Sequence, residues 1–126
     1  MNIYVDGGCP NNGQPDAVGY ASVAVYDGNN LVDGFSRKVV PAPCTNNIAE
    51  YAALIYGLAL AGIVGKGECV FWTDSVLVCE QVNGRWKVDN STLFSLCECA
   101  KSILAAHPQW KVKWITREEI VKRLGH

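Results

Sequence analysis

The sequence predicts an α/β fold in which one mixed β-sheet is flanked by helices. Two β-rich runs between Val18 and Val40 flank a turn at Asp27–Asn30, which is the pattern of a β-hairpin. Apolar strand-like runs then alternate with helical runs to the end of the chain. A hairpin pairs its strands antiparallel, whereas strands joined through helices pair in parallel, so the sheet is expected to contain both arrangements.

The first half of the chain supplies the first strand, the hairpin and a long helix. NIYVDGG is a strand that ends in Asp-Gly-Gly, and a loop rich in Pro, Gly and Asn separates it from the hairpin. PAPCTNN forms the next turn. The helix that follows is strongly apolar and is predicted to run to about Ile63.

The second half alternates strands and helices. CVFWTD is a hydrophobic strand ending in a carboxylate, and a short helix starts at Ser75 and closes at Asn83-Gly84. An Asp-Asn-Ser run at 89–91 offers N-caps for another helix, which Pro108 stops. WKVKWIT alternates apolar and basic residues, as a strand with one exposed face does. REEIVKRLGH is expected to be a short helical segment.

Composition narrows the class of protein. The chain has 126 residues, 49% of them hydrophobic and 18% charged, which predicts a single folded domain over residues 1–126 and excludes a disordered segment. The net charge of −1 provides no global basic field. No uncharged stretch has the length and flanks of a membrane span, and Asp6 argues against a signal peptide, so the mature chain is expected to begin at Met1.

Cysteine usage predicts a reducing compartment. The chain has six cysteines but no Cys-x-x-Cys pair, and neither His107 nor His126 is placed to complete a zinc site. Free thiols in the cytoplasm are therefore expected. His126 is predicted to be a solvated terminus.

Three carboxylates are the candidate functional residues. Asp6 ends the first strand, Asp74 ends the fourth, and Glu50 lies in the first turn of the long helix. If the two strands are parallel neighbours about 4.8 Å apart, the three side chains converge and repel one another unless divalent cations lie between them. Each has a simpler interpretation: a helix cap for Asp74, a capping box with Asn47 for Glu50, and a turn for Asp6.

Four segments taken together resemble a known family. IYVDGGCPNNG, TNNIAEYAALIYGLALAG, FWTDSVLVCEQVNGRWK and WITREE are similar, in order and spacing, to type 1 ribonuclease H, in its small form without a basic protrusion. The resemblance implies a five-stranded mixed sheet, with three antiparallel and two parallel strands, flanked by helices. It also implies an endonuclease that cuts the RNA strand of RNA–DNA hybrids, leaving 5′-phosphate and 3′-hydroxyl ends. The chain is expected to be a monomer. Asp6, Glu50 and Asp74 would bind two Mg²⁺ ions, or Mn²⁺.

The resemblance also implies substrate contacts. Cys9 and Asn12 fall on a loop that touches the RNA strand, where 2′-hydroxyl groups distinguish RNA from DNA. Thr45, Asn46 and Asn47 fall on a segment that meets the hybrid backbone, and a helix N-terminus suits phosphate binding. The alternative for these three residues is helix capping, which is compatible with binding. The loop residue Trp86 is the candidate for contact with the DNA strand.

The chain departs from the family at a fourth carboxylate. The family has an Asp on its last helix, where this chain has Leu124, or Lys122 if two residues are deleted. Three interpretations stay open. Glu118 or Glu119 could substitute for the Asp, or three carboxylates could suffice with slower turnover. Alternatively, the protein is a catalytically weak or inactive module that still binds nucleic acid, with Lys122 taking part of a metal's place.

Overall fold

The computed structural model describes residues 1–125, and these residues form five strands and four helices. The strands are β1 (Asn2–Gly8), β2 (Gly19–Asp27), β3 (Asn30–Val40), β4 (Cys69–Thr73) and β5 (Trp110–Trp114). The helices are α1 (Asn46–Val64), α2 (Val76–Val82), α3 (Ser91–Ala105) and α4 (Arg117–Leu124). The order of elements is the one predicted from the sequence. His126, expected to be a solvated terminus, lies outside the described residues.

The strands form one mixed sheet in the order β3-β2-β1-β4-β5. β1 pairs antiparallel with β2, and β2 with β3, while β1 pairs parallel with β4, and β4 with β5. The predicted arrangement of three antiparallel and two parallel strands is therefore confirmed. β1 lies at the centre of the sheet, so residues at its carboxyl end face loops from both halves of the chain.

The long helix α1 packs across the centre of the sheet. Ile3 and Val5 of β1 point toward it and are fully buried. Gly57 permits the close approach, because a Cβ at that position would lie 2.8 Å from Val5 Cγ1. Burial of this apolar surface is the main source of stability for the domain and holds α1 in a defined register on β1.

Helix α1 carries Glu50, so it does not contradict the expectation that no uncharged stretch has the length and flanks of a membrane span. By length and composition alone, its 19 residues would suffice to cross a membrane. In the structure, however, α1 packs against β1, β2 and α3, and Tyr51, Leu54 and Leu58 are fully buried. A helix enclosed on several sides is apolar around most of its circumference, so burial in the core accounts for its composition.

Helix α4 packs on the face of the sheet opposite α1. Side chains alternate along a strand, so Tyr4 of β1 points away from α1. The Arg123 guanidinium lies 5.3 Å from the ring centroids of both Tyr4 and Tyr26, and the Tyr26 hydroxyl donates to the Arg123 carbonyl at 3.0 Å. Ile120 is fully buried beneath the helix. These contacts fix the C-terminal half of α4.

All six cysteines are free thiols, as expected from their spacing. Five are buried and Cys99 is exposed. Burial raises the pKa of Cys44, Cys69 and Cys79 above the ordinary value for a thiol. These thiols therefore act as small apolar side chains of the core.

Candidate active site

The structure brings Asp6, Glu50 and Asp74 together. One carboxylate oxygen from each residue lies within 4.8 Å of those of the other two. Asp6 is inside β1, two residues beyond Tyr4, and Asp74 follows β4, two residues beyond Trp72. Because Tyr4 and Trp72 are partners in the parallel ladder, the two aspartates stand side by side. The geometric expectation drawn from the strand ends is therefore correct.

Glu50 reaches the cluster from the second turn of α1 rather than the first. The helix begins at Asn46, and Glu50 is its fifth residue. Its Oε1 accepts a hydrogen bond of 2.5 Å from the backbone N–H of Gly7. Gly7 makes this possible, because a Cβ there would overlap the carbonyl oxygen of Ala49. The bond fixes the carboxylate against the end of β1.

The simpler interpretations of the three carboxylates do not hold. Thr45 caps α1, its Oγ1 accepting from Ile48 N at 3.2 Å, so the Asn47–Glu50 capping box does not form. Ser75 caps α2 in the same way, its Oγ accepting from Val78 N at 3.2 Å, so Asp74 is not the cap. Asp6 pairs with Ser22 within the β-ladder and is no turn residue. None of the three carboxylates is used as a helix cap or a turn residue, so each is available for another role.

Arg117, the first residue of α4, reaches into the cluster. Its Nη1 donates to Asp6 Oδ1 at 2.8 Å and to Asp74 Oδ2 at 3.1 Å. These hydrogen bonds, the one to Asp6 first, raise the pKa of the Arg117 guanidinium above its ordinary value. One nitrogen thus bridges both aspartates.

The remaining part of the cluster is short of positive charge. Burial, and next the charge of Asp6, raise the pKa of Glu50 from 4.5 to about 9. Asp6 is 1% exposed, and its Oδ2 has no hydrogen-bond partner within residues 1–125. A buried carboxylate oxygen without a partner is costly unless a cation or donor satisfies it. The set of converging carboxylate oxygens fits a hard divalent cation such as Mg²⁺ or Mn²⁺.

Neither Glu118 nor Glu119 joins the cluster. Among residues 1–125, Asp6, Glu50 and Asp74 are the only set of three or more acidic side chains whose oxygens lie close enough together to share a metal ion. Glu119 Oε1 instead accepts from Lys122 Nζ at 3.2 Å. The substitution proposed for the missing fourth carboxylate is therefore not seen, because the first turn of α4 directs Arg117 toward the site. Lys122 likewise does not occupy the cluster.

The predicted substrate residues form a second feature beside the cluster. Asn46 ties the loop after β1 to the start of α1: its Oδ1 accepts from Cys9 N at 2.8 Å, and its N–H donates to Asn12 Oδ1 at 3.0 Å. The Cys9 side chain is 4% exposed, with Sγ 3.4 Å from the Cys44 carbonyl oxygen. Because the Cys9 side chain is buried, contact of this loop with the RNA strand stays a prediction, and at Cys9 it would involve the backbone.

A polar groove of about 310 Å³ lies where α1 and α3 begin. It is lined by Asn12, Thr45, Asn47, Ile48, Asn90, Thr92 and Leu93. The N-termini of two helices meet here, and each carries partial positive charge. Asn12, Thr45 and Asn47 thus line one groove, and their contact with substrate stays a prediction. Trp86 lies apart from them in the loop between α2 and α3, and it is 49% exposed.

Three residues of this region were missed as functional candidates in the sequence. Asn90 and Thr92 were assigned only to the start of a helix, although Asn90 does cap α3, accepting from Leu93 N at 3.0 Å. The sequence motifs likewise assign no role to Arg117. A signal was present, since an Arg at the first position of a helix is disfavoured by the helix dipole and suggests an anionic partner.

Comparison with known proteins agrees with the fold and identifies the family. Residues 5–121 match the family described as reverse transcriptase-like. The chain is 35% identical over 115 residues to the bifunctional protein Rv2228c of Mycobacterium tuberculosis, covering 91% of this chain and 31% of that protein. The N-terminal RNase H domain of Rv2228c has been solved, with a TM-score of 0.76, 30% identity, and coverage of 98% of this chain and 95% of the solved chain.

Two further relatives bear the ribonuclease name. Ribonuclease HI of Halobacterium salinarum is 31% identical over 117 residues, covering 93% of this chain and 57% of that protein. LC11-RNase H1, isolated from compost by a metagenomic approach, was solved in complex with an RNA/DNA hybrid. It has a TM-score of 0.85, 27% identity, and coverage of 97% of this chain and 89% of the solved one. The chain spans less than two thirds of the length of the two curated relatives, Rv2228c and Ribonuclease HI. Its match over residues 5–121 shows that it belongs to the reverse transcriptase-like family of ribonuclease H-like domains.

Proposed function

We propose that this chain is a metal-dependent endonuclease that hydrolyses the RNA strand of RNA–DNA hybrids. The observation that carries the proposal is the convergence of Asp6, Glu50 and Asp74, with a buried Asp6 oxygen that has no partner among residues 1–125. Ribonuclease HI of Halobacterium salinarum and the hybrid-bound LC11-RNase H1 support it, because both are similar to nearly the whole of this chain.

The three carboxylates would hold the metal, for which we propose two Mg²⁺ ions, with Mn²⁺ as an alternative. Such ions activate an attacking water and stabilise the leaving 3′-oxygen, so the products would be a 5′-phosphate and a 3′-hydroxyl. The role of the protein itself would be to hold the three carboxylate ligands in place. Gly7 N–H orients Glu50, and the parallel pairing of β1 with β4 sets the distance between Asp6 and Asp74. No nucleophilic side chain is required.

The polar groove at the starts of α1 and α3 is proposed to bind a phosphate of the hybrid. Thr45, Asn47 and Asn90 provide hydroxyl and amide groups there, and two helix N-termini favour an anion. The loop from Cys9 to Asn12, held by Asn46, is proposed to meet the RNA strand, and Trp86 to stack against the DNA strand.

One observation favours a second candidate, a module that binds nucleic acid without cutting it. Helix α4 brings a guanidinium rather than a carboxylate to the cluster. A positive side chain on Asp6 and Asp74 weakens the binding of a divalent cation at those oxygens. In that case the hybrid would bind through the groove and the loops, with strong dependence on salt.

The deciding experiment incubates the protein with a labelled RNA–DNA hybrid in Mg²⁺ and, separately, in Mn²⁺. Asp6→Asn is the test variant, and Asp27→Asn, an exposed residue at the hairpin turn, is the matched control. We expect cleavage of the RNA strand by the wild type and by Asp27→Asn, and none by Asp6→Asn. Double-stranded DNA serves as the substrate control.

The outcomes separate the two candidates. Failure to cut with either metal, or cutting that persists in Asp6→Asn, would overturn the nuclease. Binding of hybrid that falls with rising salt, measured by fluorescence anisotropy without any cleavage, would instead establish the silent module.

We also propose that residues 1–126 act as one domain and as a monomer in the cytoplasm, with no membrane partner. The free thiols, most of them buried, support a reducing compartment. Size-exclusion chromatography with light scattering tests the monomer.

A further inference from the structure

The cation nearest to the carboxylate cluster belongs to the chain itself. Arg117 Nη1 lies 2.8 Å from Asp6 Oδ1 and 3.1 Å from Asp74 Oδ2, so one nitrogen satisfies an oxygen of each aspartate. Both are charge-assisted hydrogen bonds, which are stronger than neutral ones. The aspartates are 1% and 11% exposed at their side chains, so water offers them little alternative.

The first position of α4 is electrostatically unfavourable for the positive charge of Arg117. A cation at the first residue of a helix faces the positive end of the dipole, which disfavours it. Glu118 and Glu119, in the same turn, have the sign that the dipole favours. Arg117 therefore owes its orientation to the two aspartates.

The guanidinium satisfies only part of the cluster. Asp6 Oδ2 still has no partner among residues 1–125, because Arg117 Nη1 contacts the other oxygen, Oδ1. Glu50 Oε1 accepts its hydrogen bond from the Gly7 N–H and not from Arg117. The atoms that Arg117 does contact, Asp6 Oδ1 and Asp74 Oδ2, belong to the residues proposed to bind metal.

The rest of α4 is fixed, so only the Arg117 side chain is free to move away. Ile120 is buried under the helix, and Tyr26 bonds to the Arg123 carbonyl. The Arg117 side chain is 55% exposed and has several rotatable bonds. It can leave the aspartates without unfolding or shifting the helix.

We propose that Arg117 is a built-in counter-cation of the cluster and that divalent ions must displace it from Asp6 and Asp74 in order to bind. The proposal rests on the proposed function only in taking Asp6 and Asp74 as metal ligands. It makes metal affinity depend on α4, because the first residue of that helix brings a guanidinium to the cluster. The guanidinium stabilises the metal-free protein and weakens its hold on metal.

The test measures metal binding in the absence of nucleic acid. Mn²⁺ alone is titrated calorimetrically into the wild type, Arg117→Gln, Arg117→Lys and Lys122→Gln. Lys122→Gln removes the same charge from the same helix without touching the aspartates, so it controls for long-range electrostatics. We expect Arg117→Gln to bind Mn²⁺ about tenfold more tightly than the wild type, with Lys122→Gln within about twofold. Arg117→Lys should lie between them.

A second measurement uses the wild type and does not depend on the folding of a variant. The side-chain Nε–H signals of the four arginines are followed by NMR during a Mg²⁺ titration. We expect the Arg117 signal, assigned by its loss in Arg117→Lys, to shift while the other three stay in place. Unchanged metal affinity in Arg117→Gln, or an Arg117 signal that ignores saturating Mg²⁺, would overturn the proposal. A protein that binds metal in this way but leaves hybrid uncut would refute only the nuclease.

Discussion

The guanidinium of Arg117 and the carboxylate of Asp6 form a 2.8 Å ion pair in which the acid is buried and the base is half exposed. The pair joins the last helix to the central strand at the edge of the sheet where the carboxylates meet. A buried charge that loses its partner is strongly destabilising, whereas an exposed pair contributes little. With one partner buried and the other half exposed, the Arg117–Asp6 pair should contribute to stability by an amount between those limits.

The first prediction concerns the stability of the metal-free protein. Arg117→Gln should lower the free energy of unfolding by about 1–2 kcal/mol, because Asp6 is left buried and charged without its donor. In an Asp6→Asn background the same substitution should cost less than half as much, with Asp74 retaining part of the interaction. Urea unfolding in EDTA measures both steps of this double-mutant cycle.

Lys122→Gln is the control for this cycle. It breaks an exposed pair with Glu119 and should change stability by less than about 0.5 kcal/mol. Equal costs for Arg117→Gln in the two backgrounds would show that Arg117 and Asp6 are not coupled in solution.

The second prediction follows from Glu50. Its pKa is raised to about 9 from an ordinary value of 4.5, first by burial and then by Asp6. The folded protein therefore holds this proton more tightly than the unfolded chain does. The stabilisation is complete below pH 4.5 and is lost as the pH rises toward about 9. Without metal, the unfolding free energy should fall across this window, by at most about 1.4 kcal/mol per pH unit from this group.

Two comparisons isolate the contribution of Glu50. Glu50→Gln cannot titrate, so its stability in EDTA should decline less between pH 5 and pH 9 than that of the wild type. Mg²⁺ binds the ionised form, so the stabilisation that Mg²⁺ adds to the wild type should grow with pH. Parallel curves for the two proteins in EDTA would contradict the raised pKa.

The convergence of the three carboxylates could be predicted from the sequence, because it depends on topology alone. Asp6, near the end of β1, and Asp74, directly after β4, must be neighbours once those strands pair in parallel, whatever conformation their side chains adopt. The hydrogen bond from Gly7 to Glu50 could not be predicted in the same way. It requires the depth at which α1 packs on β1, which is set by the absence of a Cβ at Gly7.

The orientations of long or ambiguous side chains were beyond sequence reasoning. Arg117 has many rotamers, and its contact with Asp6 depends on the position of α4 on the sheet. Cys9 is chemically suited either to the core or to the surface, and only the packing of Cys44 and Val18 around it decides for burial. Asn90 faces Thr45 across the groove although 45 positions separate them in the chain.

The third prediction separates the two roles of Thr45, helix cap and phosphate ligand. Asp caps a helix at least as well as Thr, so Thr45→Asp should keep the unfolding free energy within about 0.5 kcal/mol. It also places a negative charge in the polar groove, which should weaken hybrid binding about tenfold or more. Fluorescence anisotropy with labelled hybrid in EDTA measures binding without cleavage.

Thr45→Ser provides the matched comparison, since it keeps the hydroxyl and should bind hybrid as the wild type does. If Thr45→Asp is as stable as the wild type and also binds hybrid equally well, Thr45 serves only as the cap of α1, and the phosphate lies elsewhere.

The fourth prediction concerns Gly7, on which the position of Glu50 depends. Gly7→Ala would place a methyl group against the Ala49 carbonyl, within backbone that cannot yield without moving α1. The displacement should lower the free energy of unfolding by about 1–3 kcal/mol and weaken Mn²⁺ binding, because Glu50 loses its fixed orientation. Gly62→Ala, in open space on the same helix, should instead stabilise the protein by about 0.5–1 kcal/mol. Urea unfolding and Mn²⁺ calorimetry distinguish them, and a Gly7→Ala protein that matches the wild type in both would show that α1 does not set the geometry of the cluster.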